Sequence, residues 1–189
     1  MVMVCVILGL IAFGARRFGG WASRGSSRSG TSAVLSTALQ DSARALEERQ
    51  VAEIRRWYAV IEQEVPTYRQ VRRDLSGFSV EGGKLDAYFD NASLRKLVAI
   101  DSAESGRRMR RFYYRADSLV FVHELTEPYV HPPDSATVRR KEDRYYFAGG
   151  RLIRWIDDRG REIVPTSTEA RKEEAELFRL SAAIQKLLG

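Results

Sequence analysis

A single cysteine, Cys5, stands in 189 residues. That excludes an internal disulfide, and a chain that is 44 % hydrophobic can bury a sizeable core without one. Histidine is nearly as scarce, with only His123 and His131. Glu124, Glu127 and Asp134 lie near them in the chain, but there is no His-Glu-x-x-His helix and no cysteine cluster. A zinc site needs at least three converging ligands at suitable spacing, so neither a metal nor a cofactor is expected. There is no Gly-x-Ser-x-Gly elbow, and the serine-rich tract from Ser23 has the composition of a linker. Gly77, Gly82 and Gly83 form no phosphate-cradling Gly-x-x-x-x-Gly-Lys sequence. Asp86 with Asp90, and Asp157 with Asp158, are carboxylate pairs of a kind common at turns and strand ends. The expectation is a protein that is not an enzyme. It changes only if the fold sets His123 or His131 against carboxylates in a cleft.

Long apolar runs are also missing. Val2 to Ala15 carries no charge and is ended by Arg16 and Arg17, whereas a bilayer span needs about 20 apolar residues. The run has the length of a signal-peptide core, and Ala12-Phe13-Gly14 offers small residues two apart. Positive residues after the core instead favour a cytoplasmic carboxyl side. Both readings make residues 1–18 a hydrophobic signal or membrane-anchor segment, with the envelope side favoured and the cytoplasmic side left open. Residues 19–34, rich in glycine, serine and arginine, read as a flexible basic linker. The formal charge of +6 belongs mostly to this region. Arg16, Arg17, Arg24 and Arg28 supply four of the six with no acid among them, which leaves +2 for residues 29–189. Charge placed this way suits an anionic membrane surface better than nucleic acid.

What the chain has in quantity is aromatic pattern. Tyr88-Phe89-Asp90-Asn91-Ala92-Ser93-Leu94, Tyr113-Tyr114-Arg115-Ala116-Asp117-Ser118-Leu119 and Tyr146-Phe147-Ala148-Gly149-Gly150-Arg151-Leu152 share one form. Each is an aromatic pair, four turn-like residues and a leucine, the signature of a β-hairpin. If Phe89 pairs with Leu94, then Ala87 pairs with Lys96 and Leu85 with Val98, all on one face. The same rule places Phe112, Tyr114, Leu119 and Phe121 there, then Tyr145, Phe147, Leu152 and Ile156. The opposite face receives Asp86, Tyr88, Arg95 and Leu97, then Arg111, Tyr113, Val120 and Val122. The third hairpin adds Arg144, Tyr146, Ile153 and Trp155. The proline-rich stretch Thr126 to Ser135 reads as an ordered excursion between hairpins.

Helices flank this region. Leu39, Ala43, Leu46, Gln50, Ile54, Trp57, Ile61 and Val65 recur by threes and fours up to Pro66. That stripe either covers the sheet or pairs with another helix. Arg69, Arg72 and Arg73 follow in what reads as a short second helical stretch. At the other end Thr166-Ser167-Thr168-Glu169 has the form of a capping box with Thr166 as N-cap. Ala170, Glu174, Leu177, Leu180, Ile184 and Leu187 continue it at helical spacing. The fold class is α+β: an antiparallel sheet of about six strands in three successive hairpins, with a long N-terminal and a C-terminal helix. Residues 35–189 form its single domain.

The units around Tyr88-Phe89, Phe112-Tyr113-Tyr114 and Arg144-Tyr145-Tyr146-Phe147, the last running on to Leu152-Ile153-Arg154-Trp155, carry a resemblance. They resemble a broad group of small, largely uncharacterised exported or membrane-anchored bacterial proteins built from repeated aromatic antiparallel hairpins. The likeness spans residues 75–160 and contains no diagnostic catalytic residue. It implies an envelope location and an antiparallel sheet, and no activity. The expected function is a non-catalytic cell-envelope scaffold or protein-binding module, attached through its N-terminus and engaging an envelope protein. The alternative is a ligand-binding domain for an envelope glycan or an anionic lipid. Its candidate face is Tyr88, Arg95, Arg111, Tyr113, Arg144, Tyr146 and Trp155, where rings and guanidinium groups can stack and pair with charge. Such a face should stay open around a concavity, whereas a scaffold can bury it.

Overall fold

The three hairpin turns hold the sheet together. A computed structural model describes residues 29–74, 82–103, 106–129 and 139–188. Gly83–Asp90 (β2) pairs with Ser93–Ala103 (β3), Gly106–Arg115 (β4) with Ser118–Pro128 (β5), and Lys141–Ala148 (β6) with Arg151–Ile156 (β7). Two residues reverse the chain each time: Asn91-Ala92, Ala116-Asp117 and Gly149-Gly150. Both central residues have positive φ in the second turn (46° and 60°) and in the third (58° and 72°). That twist matches the right-handed twist of the flanking strands. Glycines supply it freely in the third turn, whereas Ala116 adopts it against steric resistance.

Two more strands extend the sheet beyond the expected six. Arg69–Asp74 (β1) pairs with β2, and Glu162–Ile163 (β8) pairs with β7. The result is one open antiparallel sheet of eight strands in sequence order. The expected helical stretch at Arg69, Arg72 and Arg73 is therefore an edge strand. It was hard to see because an edge strand needs only one apolar contact, here Val71 against the core.

Each hairpin also contains the same β-bulge. The register shifts between Tyr88 and Phe89, between Tyr113 and Tyr114, and between Tyr146 and Phe147, so Arg95, Val120 and Ile153 are the extra residues. An extra residue moves everything beyond it to the other face. Leu97, Val122 and Trp155, expected on the open face, lie in the core with Leu85, Phe112, Tyr145 and Phe147. Phe121 and Ile156, expected in that core, lie on the opposite face. Lys96 likewise pairs across from Tyr88 instead of Ala87.

Both faces are consequently apolar, and each takes a helix. Thr168–Lys186 (α2) lays Ala170, Leu177, Leu180 and Ile184 on the first face. Its N-cap is Ser167, whose hydroxyl accepts from the Ala170 amide at 3.2 Å, one residue past the expected Thr166. Ser29–Glu64 (α1) lays Val51, Ile54 and Ile61 on the second face, beside Tyr113, Phe121 and Tyr146. Fully burying side chains of this size contributes about 1.5–3 kcal/mol each. Trp57 fixes the height of α1 by donating its indole N–H to the Tyr114 carbonyl at 3.0 Å. A short 3-10 turn, Val65–Thr67, carries Pro66 and ends the helix near Val65 as expected.

The chain divides into two compact units, Met1–Gln40 and Asp41–Gly189. The described part of the first is the opening of α1, which begins at Ser29, inside the stretch 19–34 read as linker. The second holds the whole sheet and α2. The apolar segment 1–18 and His131 with its loop lie outside the described residues. Among the described residues no helix is long and apolar enough to cross a membrane.

Candidate functional site

Three neighbouring strands place two rows of side chains under α1. Tyr113, Phe121 and Tyr146 face one another across β4, β5 and β6, and so do Arg111, His123 and Arg144. The first row is a ring cluster. Tyr58 of α1 meets Tyr113 and Phe121 edge-on at 5.1 and 5.3 Å, and Phe121 lies 4.9 Å from Tyr146. Edge-on geometry sets the positive rim of one ring against the negative face of the next.

The second row is polar and only partly enclosed. Arg111 donates from Nη1 to His123 Nδ1 at 2.9 Å, so the neutral ring carries its hydrogen on Nε2. Nε2 lies 3.0 Å from Glu142 Oε1 but off the hydrogen-bonding direction. Among the described residues it is the one buried side-chain nitrogen or oxygen without a hydrogen bond. Glu142 is held by Arg144, which donates from Nε and Nη2 at 2.9 and 2.5 Å. Burial, reinforced by the Arg111 guanidinium, holds the His123 pKa below its ordinary value. The hydrogen bond from Arg144 keeps Glu142 below the usual carboxylate range. Burial pushes the Tyr58 phenol up.

A cavity of ≈ 310 Å³ opens between these rows and α1. Ile54, Phe121, Tyr58 and Tyr146 give it apolar walls, and Arg55, His123, Glu142 and Arg144 give it polar ones. Arg55 donates to the Tyr146 hydroxyl at 3.4 Å and lies 5.6 Å from the centre of that ring. Neither Arg55 nor Arg111 has a carboxylate among the described residues within ion-pair distance.

Only part of the candidate face comes together here. Arg111, Arg144 and Tyr146 meet around His123, with Tyr113 beside them. Tyr113 and Tyr146 are 1 % and 3 % exposed, too deep for an open stacking platform. Tyr88 is half-buried over Lys96 and accepts from Gln70 at 3.2 Å. Arg95, the bulge residue, pairs with Asp90 at 2.7 Å and lies over Trp57. Trp155 is on the other face, 5.2 Å from Tyr145, with its indole N–H on Asp143 at 2.9 Å. The third bulge carries it there.

Two polar anchors went unread in the sequence. Arg154 is 6 % exposed and grips Glu47 and Glu48 of α1, with Glu162 of β8 also at 3.3 Å. Lys96 reaches Glu62 of α1 at 2.5 Å, and the Tyr113 hydroxyl donates to the same carboxylate oxygen at 2.9 Å. Both cations follow a bulge residue, so a plain alternation of faces assigns Lys96 to the wrong side. The acidic partners sit off the apolar stripe of α1, where spacing along the helix gives no sign of a partner on the sheet.

Protein-family models, curated proteins and solved structures give no match to this chain.

Proposed function

We propose that this chain is a non-catalytic scaffold of the cell envelope, associated with a membrane through its N-terminus and binding a protein partner through α1. One observation carries the reading. The apolar stripe of α1 is used on the sheet at Ile54 and Ile61, whereas Leu46 is 57 % exposed on the same helix. A large aliphatic side chain left in water on that stripe suits a protein contact. The burial of Tyr113, Tyr146 and Trp155 adds support, because those rings serve the internal structure instead of an open surface.

His123 does meet a carboxylate in a cleft, the arrangement that would favour an enzyme. A general base, however, needs an unoccupied ring lone pair. Arg111 occupies Nδ1 and the hydrogen sits on Nε2, so taking up a proton requires breaking the hydrogen bond to Arg111. This supports the non-catalytic reading.

The test has two arms. Fractionation of the full chain beside a version beginning at Thr31 should place the first with membranes and the second in the soluble fraction. A photo-crosslinking residue at position 46 should give a discrete adduct that one at exposed Arg56 does not, and Ala43→Glu, one turn earlier and also exposed, should abolish it without changing Tm. Equal solubility of both versions together with no adduct at position 46 would overturn the proposal.

A further inference from the structure

We propose that the cavity between α1 and the sheet binds a small organic monocarboxylate with a flat apolar body. The site is separate from the exposed stripe of α1, so this inference goes beyond the protein-binding reading and does not depend on it. The volume of ≈ 310 Å³ is at the lower end for ligand pockets and too small for a glycan chain. Its walls divide by chemistry. Ile54 and Phe121 with the rings of Tyr58 and Tyr146 form its apolar side. At the polar side stand Arg55 and Arg144, with Arg111 behind His123.

Charge decides the sign of the ligand. Arg55 and Arg144 line the cavity, with Arg111 behind its histidine, and Glu142 is the one carboxylate in its lining. That carboxylate is already taken by Arg144 through two hydrogen bonds. Glu62 also acts on Tyr58 but is held by Lys96. Arg55 bonds the Tyr146 hydroxyl and lies over that ring, with no carboxylate among the described residues in ion-pair contact and Glu48 acting on it only at longer range. An unpaired guanidinium at a cavity edge is suited to a carboxylate, which accepts from two of its N–H groups at once. The apolar walls then select an organic anion over a bare inorganic one. A second guanidinium, Arg144, is 47 % exposed at the same opening and can donate from its remaining N–H groups.

Benzoate is the probe, with benzamide as its neutral counterpart and inorganic phosphate as the bare anion. Calorimetric titration of the full chain should show saturable one-to-one binding of benzoate. Benzamide and phosphate should each bind at least tenfold more weakly. Arg55→Gln and Arg144→Gln should each weaken benzoate about tenfold, the loss of one charge-assisted contact. Arg144 lies at the exposed rim, so its variant keeps the test valid if Arg55→Gln perturbs folding. Bound benzoate should also raise the His123 pKa, read from its ring proton shifts, because a nearby anion favours the imidazolium. The proposal is overturned by an absence of saturable binding up to about 10 mM benzoate, tenfold above a millimolar Kd. Equal affinity for benzamide, tighter binding of phosphate, or unchanged affinity in Arg144→Gln would overturn it equally.

Discussion

Replacing Arg154 by methionine tests how α1 is held to the sheet. The substitution keeps an apolar stem of similar length and removes the guanidinium. In the native structure that group donates to Glu47 Oε1 from Nε and Nη2 at 2.9 and 2.7 Å. It also donates to Glu48 from Nη1 and Nη2 at 3.1 and 2.7 Å. Arg154 is 7 % exposed in its side chain, but Glu47 is 30 % and Glu48 55 % exposed. Removing one member of a fully buried pair costs about 3–5 kcal/mol, because the other charge is stranded away from water. An exposed pair costs about 0.2–1 kcal/mol. Here the surviving carboxylates can rehydrate, so Arg154→Met should cost about 2 kcal/mol, between these limits. Urea unfolding gives the number, with exposed Arg151→Met as a control that leaves the midpoint unchanged. Hydrogen exchange localises it: amides of α1 around Val51 and Ile54 should lose protection before those of β4 and β5. An Arg154→Met midpoint indistinguishable from native would refute the reasoning, as would equal loss of protection over the whole sheet.

Ala116 holds a left-handed φ of 46° at its hairpin turn, so Ala116→Gly should stabilise the protein by about 1 kcal/mol in chemical unfolding; a loss would contradict the turn assignment. The Tyr114 hydroxyl and Ser181 share a 2.7 Å hydrogen bond with both residues buried, so Tyr114→Phe should cost about 1 kcal/mol, measured the same way. His123 is buried neutral between Arg111 and Arg144, with Glu142 and Tyr58 also facing it. Its folded pKa is depressed, so its contribution is present above the unfolded histidine pKa of about 6.5 and is lost as pH falls through the folded value. Thermal melts from neutral to mildly acidic pH should therefore decline less steeply in His123→Gln; identical slopes would show that His123 does not titrate in this window.

Much of the architecture was legible because hairpins advertise themselves locally. An aromatic pair, four turn-like residues and a leucine need only their neighbours to be understood, and all three hairpins were placed correctly. The bulges were not legible. One extra residue leaves no mark in composition, yet it moved Trp155 from the candidate face into the core and brought Phe121 out of it. Edge strands were missed for a different reason. β1 needs only Val71 against the core, and its arginines resemble the solvated side of a helix. The division of labour between α1 and α2 follows from a two-sided apolar sheet, which becomes apparent only once the bulges are counted. The cavity was half legible. Arg144 and Tyr146 were named from alternation alone, as was Arg111 behind His123, but Arg55 and Tyr58 enter from a helix about 60 residues upstream of β5, and no local pattern links them to His123.

The central claim is that α1 lies over the Tyr113, Phe121 and Tyr146 face while α2 covers the other. Nuclear Overhauser contacts from the Tyr58 ring measure this most directly. The account predicts cross-peaks from Tyr58 to both Tyr113 and Phe121, whose ring centres lie 5.1 and 5.3 Å away, alongside separate contacts between Phe178 of α2 and Phe147 at 5.2 Å. Contacts from Phe178 to Phe147 with none from Tyr58 to either ring would leave that face uncovered and contradict the account.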